Sequence, residues 1–250
     1  MRYFLEITYN GSAYHGWQIQ QNAITVQEVI NKCLSLKLGE EIQTTGCGRT
    51  DTGVHASQFF LHFDSEKVIK KSFVNTLNAF LPQDIVVRKI YKSPADFNAR
   101  WDAESRTYTY IITQGREPLM LGYSAVERNE LDVEKMNLAA DILTTFSDFT
   151  ALSKVSKDEE HHLCTITQAA WVKGKNKITF TITSNRFLRG MVRIIVGTLL
   201  EVGKGKVSIE DFKNIIANKD RKKAAAAAPA AGLFLSKVVY PKGKLKPINI

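Results

Sequence analysis

Nine consecutive residues hold the densest set of groups able to do chemistry: Gly48-Arg49-Thr50-Asp51-Thr52-Gly53-Val54-His55-Ala56. Gly46, Gly48 and Gly53 favour a tight, exposed turn with Asp51 at its tip. An aspartate is a carboxylate at neutral pH, and Arg49 two residues away favours that form. Such a group is a poor proton donor but can act as a nucleophile, a base or a stabiliser of positive charge. His55 offers a second titratable group four residues on. The plainer reading is an Asx-type turn that Asp51 caps. A phosphate cradle does not fit, because the Gly-Lys-Ser/Thr ending of a P-loop is missing and no helix start follows.

A second group of candidates lies in the apolar run from Phe187 to Val202, read as a helix. Leu188, Met191, Val192, Ile194, Ile195, Val196, Leu199 and Leu200 surround it, which predicts burial. Arg189 and Arg193 fall one turn apart on that helix. A charge on a buried helix is costly unless it is paired. These arginines are therefore either structural ion-pair partners or cations facing a cleft, awaiting a carboxylate or phosphate. Tyr108 and Tyr110 share a face of a strand just after Arg106, and paired aromatics there are core-like unless the nearby Arg100, Trp101 and Arg106 point to base stacking. His161, His162 and Cys164 lack the partner pair a zinc site needs, and read as part of a solvated loop after Lys157-Asp158-Glu159-Glu160. The cluster Lys219-Asp220-Arg221-Lys222-Lys223 reads as a solvated helix end within reach of a phosphate backbone.

The elements that must position these groups follow from periodicity. Residues 2–9 alternate as a strand, and a loop follows with two exposed-looking aromatics, Tyr14 and Trp17. A helix starts at Thr25, with Glu28 completing a capping box, and ends at Gly39. Strands are expected from Ile42 to Cys47, from about His55 to Phe63 and from Ile85 to Tyr91, with a helix over 70–80 that sets Phe73, Leu77 and Phe80 on one face. The order is βαββαβ. Past residues 92–106 it recurs: a strand over Thr107–Thr113, a helix over Asp132–Leu143, a hairpin from Leu163–Val172 to Ile178–Thr183, the apolar helix, a short helix from Ser208 and a strand over Leu233–Tyr240. Ala224 to Ala228 reads as the end of the short helix running into a turn at Pro229. The expected fold class is α+β: two ferredoxin-like, RRM-like halves with mostly antiparallel sheets side by side and a cleft between them. The expected domains are 1–105, carrying the Asp51 loop, and 106–250, carrying the arginine-bearing helix.

With 250 residues, 44% hydrophobic and 24% charged, the chain can bury a full core as a soluble protein. A net charge of +9 favours a polyanionic partner, most often nucleic acid. Cys33, Cys47 and Cys164 are odd in number and widely spaced, which predicts no disulfide framework and a reducing cytoplasm. The start of the chain has no signal-peptide pattern, and the apolar run is too short and too charged to span a bilayer. One activated carboxylate with several arginines and no metal or nucleotide motif suggests cofactor-free chemistry on an anionic substrate.

The chain resembles the tRNA pseudouridine synthase A (TruA) family. The motifs that carry the resemblance are Tyr9-Asn10-Gly11, Tyr14-His15-Gly16-Trp17-Gln18, the Asp51 loop, Phe97-Asn98-Ala99-Arg100, Arg106-Thr107-Tyr108-Thr109-Tyr110, Met191-Val192-Arg193-Ile194-Ile195-Val196-Gly197 and Gly232-Leu233-Phe234-Leu235. It departs from the pattern at Thr52, Cys47 and the Ala224–Ala228 run. The resemblance implies an isomerase that converts uridine to pseudouridine at positions 38, 39 and 40 of the tRNA anticodon arm. Asp51 matches the nucleophile, Arg49 the arginine beside it and Arg193 the arginine that pairs near it. Tyr108 matches the tyrosine stacked on the target base, and Arg106, Arg100 and Arg189 join it on the substrate side. His55 becomes structural. The family implies a cytoplasmic homodimer with tRNA across both subunits, no metal or cofactor, and no membrane or DNA partner. Two other readings stay open: a non-catalytic RNA-binding or RNA-folding protein, and a hydrolase using Asp51 with His55.

Overall fold

The computed structural model describes residues 1–154 and 162–248. The loop expected at Lys157 to Glu160, and His161 with it, lie outside those residues. The chain forms two compact units, Met1–Glu104 together with the residues from Leu235 on, and Ser105–Phe234.

In the first unit β1 (Arg2–Tyr9) is followed by α1 (Val26–Leu38), β2 (Thr45–Gly46), β3 (His55–Asp64), α2 (Phe73–Asn78) and β4 (Ile85–Ser93). β1 runs antiparallel between β3 and β4, with Leu5 opposite Leu61 on one side and Ile90 on the other. Its odd-numbered face, Tyr3, Leu5, Ile7 and Tyr9, is buried as alternation predicts. α1 starts where Thr25 Oγ1 accepts the Glu28 N–H and stops at Gly39, whose φ of 61° no β-branched residue would hold cheaply. Two elements are shorter than their sequence pattern. The strand expected over Ile42–Cys47 is confined to Thr45–Gly46, because Asn31 Oδ1 accepts from both the N–H and the hydroxyl of Thr44 and ties the approach to α1 instead. The helix expected over 70–80 covers Phe73–Asn78, with Leu77 buried and Phe80 left exposed beneath the Lys37 ammonium.

The second unit contains β5 (Ser105–Gln114), β6 (Ala125–Glu127), α3 (Val133–Ile142), β7 (Ile166–Lys173), β8 (Lys177–Ser184), α4 (Met191–Gly203) and α5 (Ile209–Ala217). β8 lies between β5 and β7, antiparallel to both, while the short β6 runs parallel to β5. Tyr108, Tyr110 and Ile112 of β5 are buried, as are Ile178, Phe180 and Ile182 of β8, and Trp171 stacks on Phe180 with ring centroids 4.6 Å apart. α4 is buried nearly all round. α5 opens on a complete capping box, Ser208 with Asp211. Just past its end, Lys219 takes a left-handed φ of 54° and its ammonium pairs with Asp148 at 2.7 Å. Burial works to raise Asp148, but Lys219 and the two bonds from Thr150 hold it down at about 2.

β9 (Leu233–Val239) and β10 (Lys246–Pro247) follow. From Leu235 on the chain belongs to the first unit, which corrects the expected 106–250 assignment. The physical reason is aromatic. Tyr240 sits among Phe60, Phe97 and Phe4 at centroid distances of 5.2, 5.7 and 5.8 Å, and its hydroxyl donates to the Ala99 carbonyl at 2.6 Å. β10 pairs with β4. Tyr240, between the two strands, and Phe97 of the loop before β5 thus pack on Phe4, and Tyr240 on Phe60 as well.

His62 stacks on Phe4 in this cluster and its Nδ1 accepts the Ala99 N–H at 3.0 Å, which requires the neutral ring. Burial, and then Arg2, push its pKa from 6.5 down to about 4. A histidine whose folded pKa is depressed contributes stability that is present above its unfolded pKa and is lost as pH falls toward the folded value. Urea titrations should therefore show the unfolding free energy declining between pH 6.5 and 4, and His62→Gln should flatten that part of the profile. Parallel pH profiles for the two proteins would remove His62 as the cause.

Candidate active site

The Asp51 loop is fixed through its backbone. The Asp51 carbonyl accepts the Val54 N–H at 3.1 Å, closing a four-residue turn in which Gly53 has a φ of 77°. Thr50 is buried: its carbonyl accepts the Trp17 N–H at 3.2 Å and its hydroxyl bonds that of Tyr9 at 2.8 Å. Gly53 in turn donates to the Tyr14 carbonyl at 3.2 Å. Beneath the turn, His55 is buried with its Nδ1 accepting the Gly11 N–H at 3.1 Å. That bond ties the loop to the segment after β1. Asp51 is left half-buried, with Arg49 and Thr52 exposed on either side.

The loop is seated on residues 10–17, a part of the site that charge and acid–base reasoning overlooks. A Cβ on Gly11 would stand 2.0 Å from the Val54 carbonyl oxygen, and one on Gly16 would stand 2.2 Å from that of Thr50. Gly16 also has a φ of 84°. Only glycine lets the two backbones approach so closely. Tyr14 and Trp17, expected to be exposed, are buried instead: Tyr14 donates to Asp84 at 2.7 Å and Trp17 lies 4.2 Å from Phe59. The glycines flanking these aromatics were the signal that the segment is a support, not a free loop.

In the second unit, α4 begins at Met191, not at Phe187. Gly190 takes a φ of 67° and breaks the expected helix there. Arg189 therefore lies exposed in the turn before α4, with its carbonyl accepting the Lys154 N–H, and does not share a helix face with Arg193. Arg193 is half-buried in the first turn of α4, where the helix dipole disfavours a cation. A specific contact holds it. Its Nε donates to the Ala228 carbonyl at 2.7 Å, while its own carbonyl accepts the Ala228 N–H at 2.9 Å. The run Ala224 to Ala228 is thus an extended segment laid along α4, not a helix end. Ala225 donates to Thr198 Oγ1, and a Cβ on Gly197 would stand 2.1 Å from the Ala226 carbonyl oxygen.

Tyr108 on β5 is buried with its ring edge-on to Phe187, centroids 5.1 Å apart. Tyr110, two residues on, donates to the Pro229 carbonyl at 2.8 Å, and burial drives its pKa upward against the opposing charge of Arg193. Arg106 donates from Nη1 to the Asn185 carbonyl at 2.7 Å. Asn185 is itself fixed, with its side-chain oxygen accepting from Thr165 and Arg186. Arg100 lies in the 97–102 loop with its guanidinium 4.5 Å from the Trp101 ring centre. Asp51, Arg49 and Arg100 therefore belong to the first unit, and Arg106, Tyr108, Arg189 and Arg193 to the second. Among the described residues, no three His, Cys, Asp or Glu side chains gather as a metal-binding set, and no helix is long and apolar enough to cross a membrane.

The family profile described as tRNA pseudouridine synthase matches residues 139–241, a stretch that includes α4, Arg193 and the alanine run. Similarity to curated relatives extends over nearly the whole chain. The tRNA pseudouridine synthase A of Bacteroides thetaiotaomicron is 45% identical over 245 residues, covering 96% of this chain and 91% of the relative. That of Bacteroides fragilis is 46% identical over 245 residues, with 96% and 97% covered. The enzyme of the same name from Clostridium acetobutylicum is 39% identical over 244 residues, with 94% and 98% covered. The chain belongs to the tRNA pseudouridine synthase family.

Proposed function

We propose that this protein isomerises uridine to pseudouridine at positions 38, 39 and 40 of the tRNA anticodon arm, with the Asp51 carboxylate as nucleophile. The observation that carries the reading is the Asp51 loop of a pseudouridine synthase family member, its backbone pinned to residues 11–17 while the aspartate stays half-buried. Isomerisation needs few parts. The carboxylate attacks the target nucleotide, the bond from ribose C1′ to uracil N1 breaks, the ring turns, C5 bonds to C1′, and the bond between carboxylate and nucleotide breaks to release Asp51 as a carboxylate. The proton lost from C5 is balanced by one gained at N1, so the mass is unchanged. A uridine in a stem must first leave its stack, as in other enzymes that act on a base.

In this proposal Arg49 and Arg193 support the Asp51 charge, Tyr108 stacks on the target base, and Arg106, Arg100 and Arg189 hold flanking phosphates. The proposal includes two ferredoxin-like halves with one active-site cleft between them, a cytoplasmic homodimer and tRNA as the macromolecular partner. The element orders of the two units and the +9 net charge support it. Tritium release from uracil C5 of a tRNA transcript, followed by nucleotide-resolution pseudouridine mapping, tests it. Modification at 38–40 is expected. Bound but unmodified tRNA would favour a non-catalytic RNA-binding protein, and free uracil or cleaved RNA a hydrolase.

Arg193→Ala should lower the rate at saturating tRNA by about 10²-fold, the scale of removing one preorganised charge partner. Its effect on tRNA affinity should stay within about threefold, since one cation is a small share of a basic footprint. Equal losses of rate and affinity in single-turnover and filter-binding assays would contradict that split.

A further inference from the structure

The protein has three tryptophans, and two of them are buried, Trp17 and Trp171 each at 3% exposure. Trp101 is 73% exposed. A large aromatic this open to water is held in place here, not left loose. Asn98 Oδ1 accepts the backbone N–H groups of both Arg100 and Trp101, at 2.8 and 3.2 Å. Asp102 Oδ2 accepts the Asn98 N–H at 2.6 Å, and the Asp102 N–H donates back to the Asn98 carbonyl at 3.1 Å. Between them Ala99 is clamped, its N–H on His62 and its carbonyl on the Tyr240 hydroxyl. The loop therefore presents its tip from the aromatic core of the first unit, with the Arg100 guanidinium against the indole.

A rigid indole beside an arginine, on a strongly basic protein whose family acts on tRNA, suits one kind of partner. Nucleobases stack on aromatic rings whatever their sequence, and an arginine stacked on the ring adds cation–π attraction and a charge for the adjoining phosphate. We propose that Trp101 is a stacking platform for an unpaired tRNA base other than the one isomerised. The proposal rests on the reading of tRNA as substrate, and gives the first unit a grip on the RNA separate from the Asp51 loop.

Acrylamide quenching of tryptophan fluorescence reads this residue selectively, because Trp17 and Trp171 are buried. The signal lost in W101F identifies the Trp101 component. That component should be quenched several-fold less when the full-length protein is saturated with tRNA. W101A should weaken tRNA binding about tenfold, at the low end of what one base–aromatic stack contributes, and W101F should bind within about twofold of wild type. The phenylalanine variant separates loss of the ring from loss of the fold. Trp101 remaining as quenchable in the complex as in free protein, or W101A binding like wild type, would overturn the platform. With pseudouridine still formed, either result would leave the synthase reading intact. Protection that rises with protein concentration in the absence of RNA would assign the face to self-association, and would also overturn it.

Discussion

Asp51→Asn is expected to cut pseudouridine formation by about 10³-fold or more while leaving tRNA affinity within about threefold. The two side chains have nearly the same shape, and the loop is held through its main chain. Its position is set by main-chain bonds, from Val54 to the Asp51 carbonyl, from Trp17 to the Thr50 carbonyl and from Gly53 to the Tyr14 carbonyl. Asparagine can keep all of these. What it removes is the negative oxygen that the proposed reaction uses to attack, and an amide is a far weaker nucleophile at neutral pH. A net charge of +9 implies that the proposed tRNA affinity is spread over many phosphate contacts, so it should be insensitive to one uncharged isostere. Mapping of treated tRNA together with a binding isotherm checks both halves. More than a tenth of wild-type activity in the asparagine variant would remove Asp51 from the chemistry.

Gly16→Ala should abolish most activity without touching a single ionisable group. A left-handed φ of 84° costs an alanine about 1–2 kcal/mol. The new Cβ would also lie 2.2 Å from the Thr50 carbonyl oxygen, so the Asp51 turn must shift, and overpacking of this kind costs typically 1–3 kcal/mol more. A combined destabilisation of about 3 kcal/mol is expected in urea unfolding, with a rate loss larger than the fraction unfolded explains. The second part is the informative one. Catalytic groups misplaced by an ångström can lose about 10²-fold in rate. A variant destabilised as expected yet fully active at low temperature would show that the seat under the loop stabilises the fold without positioning Asp51.

The legible parts of this molecule are those whose cause is local. Alternation at Tyr3, Leu5, Ile7 and Tyr9 announces β1, and Ser208 with Asp211 announces the start of α5, because both signals sit within one element. The Asp51 loop could be found because an aspartate, an arginine and glycines stand side by side. The illegible parts depend on what lies opposite. Alanine is the best helix former, so Ala224 to Ala228 reads as helix until Thr198 and Arg193 are seen to take up its backbone groups and Gly197 to leave room for the Ala226 carbonyl. Phe187 and Leu188 extend the apolar pattern of α4, but Gly190 in a left-handed conformation overrides the period and moves Arg189 off the helix. Tyr14 and Trp17 look exposed because polar and glycine residues surround them. Their burial follows from the close approach of two loops, which no periodicity encodes. Tyr240 belongs with residues more than 130 positions earlier, such as Phe97 and Ala99, for the same reason.

The return of the chain after Leu235 to the unit it began has a consequence for biosynthesis. The Asp51 loop leaves the ribosome well before the residues that complete its unit, and the sheet beneath it lacks Tyr240 and the Val238 N–H that bonds Gln58 until about 180 further residues have been made. At about 5–20 residues per second that is an interval of roughly 10–40 seconds. During it Phe4, Phe60 and Phe97 lack the Tyr240 ring, while the second unit has all of its own strands before the first is complete. Of the two units, the one whose synthesis starts earlier is the one that receives its last residues later.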